Sequence, residues 1–274
     1  MRPRARPDKA MPRWAAGLGL AVSSTFLVAG CTDSAKPRPE GSAPLVTTPA
    51  EEVQGISPRA VAEGVPDWRS YVATAKAELG AVPVFDAVGG AQQAIVEDRS
   101  SEGFPAVFLV RELDVDDAPD GEVWHEVWLP IRPNGSHGFV RDDDVTLSYH
   151  DYRLSVDLSD HEVRLYTAGV LTETYLAGVG TDRTPTPGGT FYTKELLRPT
   201  NRGGPYGTHA YGLSGFSNTL TQFAGSDGVV GLHGTDDPDS VGKDVSAGCI
   251  RLQNADIDEL VDRLPLGVPV DIVA

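Results

Sequence analysis

Glycine and proline punctuate this chain so densely that short strands joined by turns are the structure it most readily supports. Thirty glycines and 21 prolines are spread over 274 residues. Glycine reaches positive φ and proline fixes φ, so both mark turns. Residues 82–85, 106–110, 123–129 and 137–140 read as short strands, separated by Gly89-Gly90, Asp120-Gly121 and Pro133-Asn134-Gly135. Leu154, Val156 and Leu158 alternate with polar residues, and Val163 and Leu165 do the same beyond Ser159-Asp160-His161, which predicts a hairpin. Two helices are expected. Over 67–80, Trp68, Tyr71, Val72, Ala75 and Leu79 share one helical face, with Asp67 as N-cap and Gly80 as stop. Further on, Asn254 would cap a short helix that turns Ile257, Leu260, Val261 and Leu264 to the core. Gly267 would end it, and a strand over 268–273 would close the chain. The expected fold is mainly β, and the length allows one or two domains with cores of their own.

The first 31 residues read as an export leader. Arg2, Arg4, Arg6, Lys9 and Arg13 precede an apolar run over 14–29 that is short for a membrane span. The run ends in Leu27-Val28-Ala29-Gly30-Cys31, which resembles the lipobox of bacterial lipoproteins; the resemblance implies lipidation at Cys31. A plain signal peptide or a short anchor are the other readings of the same segment. Residues 32–64 carry Pro37, Pro39, Pro44 and Pro49 among small and polar residues and read as a flexible tether reaching roughly 30–35 Å. The implied location is the outer face of the cytoplasmic membrane, in the cell-wall space. The formal charge of −16 becomes more negative without the basic leader, which argues against nucleic acid as a partner. With Cys31 acylated, Cys249, the other of the two cysteines, has no intramolecular partner, and a free thiol in an exported chain signals reactivity.

That thiol sits in the stretch GLHGTDDPDSVGKDVSAGCIRL, residues 231–252, with His233 upstream and glycines at 231, 234 and 248. A lone cysteine is commonly a small buried hydrophobe. Beside an imidazole it becomes a nucleophile, and glycine lets backbone N–H groups face a developing oxyanion. His233-Gly234-Thr235, Pro238, Ser240, Gly242 and Ser246-x-Gly248-Cys249-Ile250-Arg251 resemble the signature of the L,D-transpeptidase catalytic domain. The resemblance runs from about Tyr152 to the end. Thr184-Pro185-Thr186-Pro187-Gly188-Gly189-Thr190-Phe191 resembles the turn before a core strand of that family. Many members carry His where this chain has Ala247.

The resemblance implies a β-sandwich or β-barrel catalytic domain with one or two short helices. It implies Cys249 as nucleophile, His233 as base and then acid, and the Gly234 carbonyl as the group that holds the imidazole. Gly248 and Cys249 would offer oxyanion N–H groups. Ser246 and Arg251 match the motif; Arg251 would order the loop or hold a substrate carboxylate. Tyr211, in a glycine-rich loop over 201–215, is a candidate for substrate binding. The implied reaction forms 3→3 peptidoglycan cross-links with release of D-alanine, carbapenem-type β-lactams being expected to acylate the same cysteine. The same site would serve an L,D-carboxypeptidase or a protein-anchoring transferase, and a non-catalytic wall-binding lipoprotein is a further alternative. The partners implied are peptidoglycan stem peptides, with the membrane engaged through Cys31 and the chain a monomer. Papain-like proteases place cysteine before histidine, the reverse of this order.

The domain organisation read from the chain is leader 1–31, tether 32–64, a small helix and β-domain over 65–147, and a catalytic domain over 148–274. The run 124–140 resembles the SH3-like β-domain that precedes some actinobacterial L,D-transpeptidases. No cofactor and no metal are expected: the six histidines are scattered, without ligand spacing. Gly178-x-Gly180 is followed by prolines where a dinucleotide site needs a helix. The acidic run 114–121 lacks EF-hand spacing and reads as a solvated loop. Asn134-Gly135-Ser136 reads as a hairpin turn. Trp124 and Trp128, on one strand face, read as core ahead of a ligand platform.

Overall fold

The structure is a computed structural model that describes residues 51–52, 68–77, 79–100, 103–115, 121–222 and 227–274. The leader, Cys31, Asp67 and all of the tether except Glu51 and Glu52 lie outside them. The described chain is mainly β, as its turn signals require.

The first sheet has eight strands: β1 (Glu51–Glu52), β2 (Ser70–Ala75), β3 (Ala81–Phe85), β4 (Gln92–Glu97), β5 (Val107–Glu112), β6 (Trp124–Trp128), β7 (His137–Arg141) and β8 (Val145–His150). Their order is β1-β8-β2-β5-β6-β7-β3-β4. Side chains alternate across a strand, and Val82, Val84, Phe108, Val127 and Val140 bury one face in a common core. Trp124 is buried outside that cluster, edge-on to Phe85 with ring centroids 5.0 Å apart, and Trp128 is half-buried.

The helix expected over 67–80 is not formed. Ser70–Ala75 is a strand inside the sheet, with Ser70 opposite His150 and Val72 opposite Leu109. Spacings of three and four also fit a strand when both faces pack. Here β2 is flanked on both edges, and Leu79, which the helical face would bury, is exposed. Gly80, at φ 77°, makes the turn into β3.

The second sheet begins as soon as the first ends. Its strands are β9 (Tyr152–Asp157), β10 (Glu162–Thr167), β11 (Val170–Leu176), β13 (Gly189–Leu197), β14 (Ala210–Phe216), β15 (Val229–His233), β17 (Ile250–Arg251) and β18 (Pro269–Val273). They run in the order β11-β10-β9-β18-β13-β14-β15-β17. A separate parallel pair joins β12 (Val179–Gly180) to β16 (Asp244–Ser246). Helix α1 (Asn254–Arg263) buries Ile257, Leu260 and Val261 against Leu232, Ile250 and Leu252 in one core. Burying each such side chain contributes roughly 1.5–3 kcal/mol.

Two further expectations change. Gln253, not Asn254, is the N-cap of α1, and it caps with backbone geometry alone; the Asn254 side chain is engaged elsewhere. The glycine-rich region 201–215 is loop only as far as His209, because all seven residues of β14 are buried. Glycines at 212 and 215 serve that strand by admitting the Glu195 and Phe191 side chains against its backbone.

Candidate active site

The pairing of β15 with β17 assembles the site. The two strands run parallel, with Leu232 opposite Ile250 and His233 opposite Arg251. Residues two apart share a face, so Gly231 and His233 on one strand, and Cys249 and Arg251 on the other, fall on the face turned away from the core. Leu232 and Ile250 fill the core side and are fully buried.

Cys249 is partly accessible, and its Sγ accepts a hydrogen bond from the Gly231 N–H at 3.4 Å. A Cβ at Gly231 would stand 3.4 Å from His233 Cδ2 and 3.7 Å from Cys249 Sγ. The missing side chain is therefore the space that imidazole and thiol share. His233 is 3% exposed, with Nδ1 at 2.5 Å from the Gly234 carbonyl oxygen. A carbonyl only accepts, so Nδ1 carries the proton and Nε2 presents a lone pair.

Burial dominates the protonation of both groups. It lowers the imidazole pKa from 6.5 to about 4, against the opposing Gly234 hydrogen bond and with help from the Arg251 charge. It raises the thiol, against the Gly231 N–H and the Arg251 charge. Both shifts favour the uncharged forms, a neutral thiol and a neutral imidazole.

The turn before the thiol is braced from within. Ser246 Oγ donates to the Cys249 carbonyl at 2.6 Å and accepts the Gly248 N–H at 3.0 Å. Ser246 thus shapes the turn. The Gly248 N–H, expected as an oxyanion donor, is taken up by that brace. Gly248 has φ 115°, a conformation open to glycine. Arg251 acts electrostatically on both His233 and Cys249, and its Nε is buried without a hydrogen-bond partner. Asp236, Asp237 and Asp239 are exposed and leave the imidazole to the Gly234 carbonyl.

Tyr211 does not belong to the site. Its side chain is fully buried and its hydroxyl donates to the Leu264 carbonyl at 3.0 Å, because β14 turns it into the core. The aromatic that reaches the site is Tyr206, from the loop before β14. Its ring meets His233 edge-on at 5.0 Å, and its hydroxyl is electrostatically coupled to Cys249. Tyr206 lies in the same glycine-rich stretch, but only Tyr211 was singled out from the sequence; the start of β14 separates the two. Among the described residues no group of three or more His, Cys, Asp or Glu side chains gathers as a metal site.

A cysteine and a histidine whose Nδ1 proton is held by a carbonyl thus lie together beside Gly231. The L,D-transpeptidase catalytic-domain family, YkuD, matches residues 151–272. YkuD of Bacillus subtilis, whose name designates an L,D-transpeptidase, is 35% identical over 130 residues, covering 47% of this chain and 69% of that protein. Its Bacillus licheniformis counterpart is 39% identical over 121 residues, covering 44% of this chain and 65% of that protein. The chain thus spans about two thirds of the curated relatives it matches. Among solved structures, an L,D-transpeptidase from Mycobacterium smegmatis superposes with a TM-score of 0.39 at 16% identity, over 74% of this chain and 99% of that one. This chain belongs to the L,D-transpeptidase family.

Proposed function

We propose that the protein is a peptidoglycan L,D-transpeptidase that forms 3→3 cross-links through a thioester on Cys249. One observation carries this reading: the thiol and an imidazole with its Nε2 lone pair free flank the same glycine, Gly231. Cys249 Sγ attacks the carbonyl between the third residue and the terminal D-alanine of a tetrapeptide stem, and its proton passes to His233 Nε2. The Cys249 N–H stabilises the oxyanion, a contact worth roughly 3 kcal/mol in such sites. Collapse breaks the C–N bond, and His233 returns the proton to the departing D-alanine amine. An amine from a neighbouring stem then attacks the thioester, gives its proton to His233 and releases the thiol. Lipidation at Cys31 would hold the enzyme at the outer face of the membrane, with the tether reaching the wall.

Incubation with a disaccharide-tetrapeptide, followed by mass spectrometry, tests the reading. A cross-linked dimer with loss of D-alanine is expected. A tripeptide alone would assign water as the acceptor, and no D-alanine release would overturn the reading. Cys249→Ala should abolish acyl transfer at unchanged fold; full activity in that variant would remove Cys249 as the nucleophile.

A further inference from the structure

We propose that Asn254 is a positioning residue that holds His233 in its working tautomer and Tyr206 against it. Asn254 is the first residue of α1, yet its side chain makes no cap. Its Oδ1 accepts the Thr208 N–H at 3.2 Å and the Thr235 N–H at 3.1 Å, and its Nδ2 donates to the Thr235 carbonyl at 3.0 Å. The two acceptor positions of the amide oxygen are thereby filled.

The Thr235 N–H belongs to the same planar peptide unit as the Gly234 carbonyl. Fixing one fixes the other, and the Gly234 carbonyl is the acceptor for His233 Nδ1. The Gly234 N–H is tied in turn to the His209 carbonyl at 3.1 Å. Room for the amide is made by glycine on both sides: a Cβ at Gly207 or at Gly234 would collide with Asn254 Oδ1. Gly207 also has φ 61°, the left-handed region. The Thr208 hydrogen bond anchors the loop two residues after Tyr206, whose ring lies edge-on to the imidazole. One amide thus sets the peptide behind the histidine and the aromatic beside it. Among the described residues, the charged and titratable groups that otherwise act on the Cys249–His233 pair are Arg251 from β17 and Tyr206.

The proposal rests on reading Cys249 and His233 as an acyl-transfer pair, so its test separates the two. Long-range 1H–15N spectra of the full chain read the His233 tautomer without any substrate, and iodoacetamide alkylation of Cys249 across pH reads its coupling to the thiol. The wild-type chain should show the Nδ1–H form. Asn254→Ala should show mixed tautomers and alkylation near neutral pH slowed about tenfold. Asn254→Asp keeps the acceptor for both N–H groups and should retain the tautomer; it decides the matter if the alanine variant does not fold. Loss of the Nδ1–H form in Asn254→Asp, or its persistence with an unchanged pH profile in a folded Asn254→Ala, would overturn the proposal. Unchanged alkylation in His233→Ala would instead sink the Cys/His reading, while the tautomer still reports on Asn254.

Discussion

His233 is buried with its Nδ1 committed to a carbonyl, so burial lowers its pKa to about 4. A base of this kind stays unprotonated across the neutral range. The acid limb of kcat/KM is therefore expected near pH 4, not near 6.5, and most of the activity should remain at about pH 5.5. A limb at 6.5 in the measured profile would show that the imidazole is solvated in the working enzyme. His150, also buried, is lowered to about 4 for the same reason. Both histidines have folded pKa values below the unfolded value. The unfolded chain binds the extra protons between pH 6.5 and 4, so stability is complete above 6.5 and is lost as pH falls toward 4. Each histidine contributes up to about 3 kcal/mol to that loss. Calorimetry from pH 7 to 4 should show Tm falling over this window; a flat Tm would contradict the burial of both rings. The sequence motif singled out Cys249, His233 and Gly234, and the fold brings them together. The sequence singled out Tyr211 where Tyr206 meets the imidazole, because a tyrosine's facing depends on where a strand begins.

The element that creates the site is the parallel pair β15–β17. Its register sets His233 opposite Arg251, and Gly231 lies against Cys249; the glycine leaves the space between imidazole and thiol open. Gly231→Ala meets only ordinary contacts of 3.4–3.7 Å and needs no positive φ. It is expected to fold with nearly unchanged Tm and to lose at least about tenfold in kcat, since its methyl fills the shared space. A variant with wild-type turnover would place the proton transfer elsewhere. Strand against helix was legible for 154–165 and for α1, where the apolar period is unambiguous. It was not legible over 67–80. There the same spacings satisfy a helix face and a strand packed on both sides, and the decision came from the neighbours, β5 and β8.

At the scale of the whole molecule, the turn read as Pro133-Asn134-Gly135 joins the two sheets. Asn134 accepts the Phe216 N–H at 2.9 Å and donates to the Phe216 carbonyl at 2.8 Å. Arg132 donates to the carbonyls of Ser217 at 3.0 Å and Asp227 at 2.9 Å, with its guanidinium 4.9 Å from the Phe216 ring centroid. These contacts hold the segment that leads from β14 toward β15. Val72, Val107 and Leu109 add an apolar contact with Tyr192 of β13. Arg132→Ala combined with Asn134→Ala is expected to lower Tm by about 3–8 °C. An unchanged Tm in scanning calorimetry would mean that these contacts add nothing to the docking of the two sheets.

Short-range residue patterns carried the local and chemical part: the turns, the β-rich class and the His/Cys motif that carries the family. Each of these depends on residue types at short spacing. The remaining features come from contacts between segments far apart in the chain. Asn254 binds Thr208 and Thr235, the Ser246 hydroxyl takes the Gly248 N–H, and β2 is a strand because two others flank it. Hydrogen-bond partners and burial are properties of the packed chain, and the pKa values of His233 and Cys249 follow from them.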